Sequence, residues 1–250
     1  MGDEKTRDVV FGGEVKLWQS KKGYRFGLDA LLLATDLPEL VCEAPEKPRV
    51  LELGAGQGAV ALTIARQHQD WEILALERQP ALLEHLQENI LENELKNVGV
   101  ISGDLREYRR LLDPQCIDLV VANPPYYALG SRRPSENKER AAARHELFGG
   151  ITDFLAAAIY ALKPRGLAKV ILPPLRLHEA LNAASTTDLR LQSLRFYHTD
   201  KEADAYLVEI IWRRGAAPDV QIKPPLYIYA DASAGLYSPE VAQRLRRETR

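Results

Sequence analysis

Short apolar runs alternate with helical stretches through the middle of the chain. Residues 50–53, 71–77, 98–104, 118–122 and 167–172 are rich in Val, Ile and Leu and read as strands. Residues 59–65, 80–95, 152–162 and 176–184 lie between or beyond them with apolar positions every three or four residues, so they read as helices. In the second of these, Leu82, Leu83, Leu86, Ile90 and Leu91 share one face. The third is expected to start at Thr152 or Asp153 and to stop at Lys163-Pro164-Arg165-Gly166. Residues 191–197 and 206–212 then read as a pair of strands at a sheet edge. Such alternation predicts a mostly parallel sheet covered by helices. Upstream, residues 14–18 and 24–26 read as a hairpin around Ser20-Lys21-Lys22-Gly23. A helix over 28–34 follows, with Asp29 as its N-cap. Downstream, 226–229 read as a short strand, and Ser238-Pro239-Glu240 as a helix start. The pattern predicts one domain: an N-terminal extension over 1–48, a core sheet over 49–214 and a C-terminal extension over 215–250.

Bulk properties narrow the function classes. With 250 residues, 46% hydrophobic and 27% charged, the chain has the composition of an ordinary globular protein. No apolar run approaches a membrane span and the charged start has no signal-type core, so a cytoplasmic protein is expected. Cys42 and Cys116 are far apart and in no metal-type array, which argues against a disulfide framework and a zinc site. A net charge of −2 gives no global basic field. Locally the balance differs. Residues 128–144 hold Arg132, Arg133, Lys138, Arg140 and Arg144 against Glu136 and Glu139, a local +3, which suits RNA phosphates. Arg144-His145-Glu146 closes that stretch, with His145 read as ordering it rather than as a base. The final helix carries Arg244, Arg246, Arg247 and Arg250, either a second RNA contact or favourable charge at a helix end.

Candidate chemistry sits at the carboxyl ends of the strands, where open α/β sheets bind ligands. Gly54, Gly56 and Gly58 alternate between a strand and a helix, allowing positive φ and close backbone approach. The spacing differs from the Gly-x-Gly-x-x-Gly dinucleotide fingerprint, which ranks second. Glu77 lies 19 positions after Gly58, where a carboxylate can accept ribose hydroxyls. Asn123-Pro124-Pro125-Tyr126-Tyr127 ends the fourth strand. Two prolines stiffen it, the Asn123 side chain and the Pro124 carbonyl supply acceptors, and Tyr126 supplies a flat ring. Two acceptors beside a ring fit a planar group bearing an NH2.

The last motif resembles the Asn/Asp-Pro-Pro-Tyr/Phe/Trp signature of methyltransferases acting on amino groups conjugated to a π-system. The glycine motif resembles the first motif of class I S-adenosylmethionine (SAM)-dependent methyltransferases. Over nearly its full length the chain resembles the bacterial adenosine-N6 methyltransferases that modify valine tRNA next to the anticodon. The segments 24–34, 54–58, 123–127, 143–146 and 237–240 carry that likeness. It implies a seven-stranded Rossmann-like sheet with the last strand antiparallel, SAM as methyl donor and tRNA as partner. It places Glu52 near the donor's methionine amino group, Gly54, Ala55, Gly56 and Gly58 under the donor and Glu77 on its ribose. Asp104 and Leu105 fall beside the donor's adenine, although Asp104 reads equally as the cap of a short helix. Asn123, Pro124, Pro125 and Tyr126 form the acceptor site. Methylation of a glutamine amide in a release factor, or of guanine N2 in ribosomal RNA, satisfies the same motif. A non-catalytic RNA-binding scaffold is the reading from another class.

Overall fold

The computed structural model describes residues 4–23, 25–38, 41, 47–124, 150–215 and 219–246. Strands β3 (Arg49–Leu53), β4 (Glu72–Glu77), β5 (Val98–Ser102), β6 (Ile117–Ala122), β7 (Leu162–Leu172), β8 (Leu189–His198) and β9 (Ala205–Arg214) build the main sheet. Two short strands, β10 (Gln221–Ile222) and β11 (Leu226–Tyr227), both run beside β8. The order is β5-β4-β3-β6-β7-β9-β8, with β9 antiparallel to both neighbours. The anticipated edge pair is therefore half internal: β9 lies between β7 and β8, and β8 is covered by the two short strands.

Residues alternate between the faces at the period of a pleated strand. Leu119 and Val121 join one buried cluster, Val120 and Ala122 the other. The first face receives α1 (Leu28–Leu33), α2 (Ala59–Gln67) and α3 (Pro80–Glu92) through residues such as Leu32, Leu62 and Leu86. The second receives α4 (Tyr108–Leu111), α5 (Ile151–Ala161) and α6 (Leu177–Ser185) through Leu111, Phe154 and Ala180. Gly150 caps α5, and the Asp153 carboxylate accepts the Gly150 N–H at 2.9 Å, so that helix starts ahead of the expected Thr152 or Asp153. The expected stop at 163–166 is instead a bulge within β7: Leu162 pairs with Ile117 and Leu167 with Leu119, leaving three extra residues on β7.

The N-terminal hairpin differs from its expected form. Its strands are β1 (Lys5–Val10) and β2 (Val15–Ser20), joined through Gly12 and Gly13 at positive φ. Residues 21–23 are bends and 25–27 are not a strand; Tyr24 lies outside the described residues. The free edge of β2 is closed by side chains rather than by a third strand. Asn89 on α3 accepts the Trp18 N–H at 2.6 Å and donates to Trp18 O at 3.0 Å. Asn93, one turn on, does the same for Lys16, at 2.9 and 2.6 Å. The Asn89 amide also donates to Gln57 O in the glycine turn at 3.0 Å, tying hairpin, helix and turn together.

The C-terminal segment adds a small hairpin, β12 (Tyr229–Asp231) with β13 (Leu236–Tyr237), and α7 (Pro239–Arg244). Ser238 caps α7 by accepting the Val241 N–H, as expected. Arg244 pairs with Asp36 and Glu240, and Arg246 with Glu14. These two arginines hold the C-terminal helix to the body; Arg247 and Arg250 lie outside the described residues.

Gly58 shows how tightly the turn before α2 is built. It sits at φ +93°, and a Cβ there would come within 2.6 Å of both Leu62 Cδ1 and Leu86 Cδ1. Left-handed backbone costs a non-glycine residue about 1–2 kcal/mol. Overpacking adds about 1–3 kcal/mol. Gly58→Ala is expected to lower stability by about 2–5 kcal/mol in urea unfolding. A variant of unchanged midpoint would show that the turn relaxes freely.

Candidate active site

The strand order reverses direction between β3 and β6. The chain leaves β3 towards β4 on one side and returns through β6 on the other, which opens a crevice above their carboxyl ends. Register brings both ends to the same height, since Leu53 pairs with Leu76 on one side and with Ala122 on the other. The glycine turn that follows β3 and the Asn123 that follows β6 therefore flank one crevice. Gly54 is the exposed residue of the turn, while Ala55 through Gly58 are buried. All three glycines take positive φ, at 75°, 57° and 93°.

Glu77, at the end of β4, underpins the turn. Its Oε2 accepts the Gly56 N–H at 2.8 Å, and its Oε1 accepts those of Arg78 and Gln79, each at 2.8 Å. A carboxylate has about four acceptor positions. Three are thus occupied by backbone, and Oε2 keeps one for a ligand. Burial raises the Glu77 carboxyl pKa, while the three backbone N–H groups pull it back down.

Glu52 lies behind the turn, facing α2. It is 3% exposed, and its Oε2 accepts the Ala61 N–H at 2.8 Å in the first turn of that helix. Burial pushes its carboxyl pKa well above the ordinary range, and the like charge of Glu77 adds to this against the Ala61 hydrogen bond. A carboxyl raised in the folded state lends stability that is whole below the unfolded carboxyl range, about pH 4. That stability is lost as pH climbs through the folded value. Glu52→Gln keeps the acceptor and removes the charge. Relative to wild type, the variant should gain stability as pH rises from about 5 to about 9 in urea unfolding. A difference that stays flat across this range would mean that Glu52 does not titrate there.

Asp104 takes its capping role. Oδ1 accepts the backbone N–H and Nε of Arg106, at 3.0 and 2.9 Å. Oδ2 accepts from Arg78 at 2.7 Å and from the Arg106 guanidinium at 2.5 Å. The Arg106 side chain, foremost among these contacts, holds the Asp104 carboxyl below its usual range. All four acceptor positions are filled, so an adenine amine could reach Asp104 only by displacing an arginine. Leu105 beside it is buried in the second cluster.

Asn123 differs from these saturated groups. Its side-chain Nδ2 donates to Asp29 Oδ2 at 2.8 Å, across 94 residues of sequence. Its Oδ1 is buried and has no hydrogen-bond partner among the described residues. Leaving a buried acceptor unmade costs about 1–3 kcal/mol, so an orphaned one at the end of β6 marks a place for a donor. Asp29 is the second residue of α1, not its N-cap: Gly27 occupies that position and no side chain caps the helix. Pro124 is buried beside Asn123. Pro125, Tyr126 and the basic residues Arg132, Arg133, Lys138, Arg140 and Arg144, with His145, lie outside the described residues. Among the described residues no cluster of His, Cys, Asp or Glu could hold a metal, and no helix is long and apolar enough to cross a membrane.

The sheet order, the antiparallel seventh core strand and the glycine turn at the switch point define a class I methyltransferase fold. A predicted O-methyltransferase of Agrobacterium tumefaciens superposes on 86% of the chain and 94% of its own, with a TM-score of 0.67 at 19% identity. Residues 26–185 match the family described as Methyltransferase small domain, and the chain belongs to that family. A tRNA1(Val) (adenine(37)-N6)-methyltransferase of Aeromonas salmonicida is 30% identical over 167 residues, 66% of each chain. The release factor glutamine methyltransferase of Escherichia coli is 35% identical over 89 residues, 35% of this chain and 31% of its own. The chain thus spans less than two thirds of either relative's length.

Proposed function

We propose that the protein is a SAM-dependent methyltransferase acting on the exocyclic N6 of an adenine in tRNA, the one next to the anticodon of valine tRNA. The observation that carries this reading is the buried Asn123 Oδ1 beside the glycine turn, which has no hydrogen-bond partner among the described residues. It is an acceptor prepared for an amine proton at the place where a nucleoside-type donor fits. The residues present suit SAM: the exposed Gly54 backbone lets a ligand approach, and Glu77 Oε2 keeps an acceptor position for a ribose hydroxyl. When bound, SAM supplies a methyl group on a sulfonium, already an activated electrophile.

The chain's own part is then mostly positioning. Asn123 Oδ1 and the Pro124 carbonyl accept the two N6 protons, which turns the nitrogen lone pair towards the methyl group. With the donor bound, these two acceptors would hold the amine for displacement at the sulfonium methyl, and the proton lost from the methylated nitrogen would pass to solvent. Tyr126 supplies the stacking face for a base turned out of a single-stranded loop, where little pairing energy is surrendered. Arg132, Arg133, Lys138, Arg140 and Arg144 supply phosphate contacts. Glu52 supports the turn from behind, through its bond to the first turn of α2.

A glutamine side chain would fit the same pair of acceptors. The adenine reading is favoured because the match to the tRNA enzyme runs through 167 residues and that to the glutamine enzyme through 89. Methyl-labelled SAM offered to a mixture of unmodified tRNA and release factor should place label in the RNA. Label confined to the protein would move the assignment to glutamine.

A further inference from the structure

A carboxamide is nearly symmetric in outline. Rotated half a turn about its last bond, the Asn123 amide would aim its NH2, not its oxygen, at the substrate amine. Donors would then face donors, and the amine would be pushed away. The orientation is decided from behind. Asp29 Oδ2 lies 2.8 Å from Asn123 Nδ2, and a carboxylate oxygen accepts, so the NH2 faces Asp29 and the amide oxygen is left for the substrate amine.

Asp29 is itself held in place. It is 8% exposed. The preceding Gly27 is in ordinary extended backbone, at φ −111° and ψ −175°, so glycine is not needed there for conformation. It is needed for space: a Cβ at Gly27 would collide with Asp29 Oδ1. At the far end of the same helix, Lys169 Nζ donates to Leu33 O and Thr35 O, at 3.1 and 2.5 Å, which fixes α1 against the sheet.

We propose that Asp29 is a positioning residue for methyl transfer: its carboxylate sets the orientation of the Asn123 amide, and Gly27 leaves the room in which that carboxylate sits. The assignment rests on the acceptor role proposed for Asn123. Asp29 touches no substrate in this scheme and acts only through Asn123.

The test compares Asp29→Asn, Asn123→Ala, their double variant and Gly27→Ala, using whichever acceptor the wild-type protein labels. Asp29→Asn is isosteric, yet an amide can donate as well as accept and no longer enforces one orientation. It is expected to lower kcat about 10–100-fold, as loss of an orienting partner does. SAM affinity by calorimetry and the thermal midpoint should stay near wild type. In the Asn123→Ala background the same change should have no further effect, because the group it orients is gone. Gly27→Ala should lower kcat with the carboxylate still present. Wild-type kcat in Asp29→Asn beside an inactive Asn123→Ala would overturn the proposal while leaving the acceptor site intact. So would losses that multiply in the double variant. A wild-type protein that labels glutamine instead of adenine would overturn the substrate reading alone, and one that labels neither would overturn both.

Discussion

Asn123→Ala should lower kcat about 10²–10³-fold while SAM still binds with wild-type affinity. The magnitude follows from removing one prepared electrostatic contact to a reacting group. The selectivity follows from geometry. The glycine turn and Glu77 hold their shape through Leu76, Gly56, Arg78 and Gln79, none of which involves the Asn123 side chain. The folded state should lose little, because the wild-type residue leaves an acceptor buried without a partner among the described residues. Single-turnover methyl transfer beside calorimetric SAM binding checks both parts. Full activity in the variant would remove the acceptor assignment. Equal loss of donor affinity would make Asn123 part of the donor site instead.

Lys169→Met should destabilise the fold by about 3–5 kcal/mol, the cost of breaking a buried ion pair from one side. Lys169 is fully buried on β7, and its Nζ lies 3.2 Å from Glu209 Oε2 on β9. The same ammonium donates to Leu33 O, Thr35 O and Asp36 O, closing the carboxyl end of α1. Without it, Glu209 stays buried with the Tyr197 hydroxyl, 2.8 Å away, and three carbonyls lose a donor. Tyr197 stays a neutral donor to that carboxylate, since burial and the adjacent Glu209 push its pKa well above the usual range, and a hydroxyl does not replace the lost positive charge. Lys169→Met with Glu209→Gln should recover a large part of the loss, because no uncompensated charge remains. Urea unfolding of the two variants measures this. A double variant no more stable than Lys169→Met would show that the carbonyl contacts, not the charge pair, dominate.

The strands that carry the site were readable from the sequence because they are buried on both faces and therefore continuously apolar. Val50, Leu51 and Leu53, or Leu119, Val120 and Val121, leave no other reading. The glycine turn, Glu77 and Asn123 were readable as positions for the same reason: they end those strands. Contacts between distant segments were not. Asp29 meets Asn123 across 94 residues, and only Gly27 two places before it hints that its carboxylate needs space. β1 was missed because Lys5, Arg7 and Asp8 make it polar, and its partners are the α3 carboxylates Glu88 and Glu92. The lysines at 21 and 22 then drew the turn to the wrong end of β2. Asn89 and Asn93 left a fainter signal: Asn89 falls on the buried stripe of α3 and Asn93 continues it at the C-cap, seven positions after Leu82 and Leu86, where apolar residues would be expected. Lys169 is the same kind of signal, a lone charge inside the apolar run 167–172. Asp104 shows the converse limit. Its type and place suited a ligand contact, but neighbouring arginines occupy every acceptor position.

The most direct measurement is methyl transfer from labelled SAM to total tRNA lacking its modifications, followed by digestion to nucleosides and mass analysis. N6-methyladenosine is expected as the labelled product, arising in valine tRNA and formed about 10²–10³-fold more slowly with Asn123→Ala. Intact SAM binding with no label in any tRNA nucleoside would contradict it.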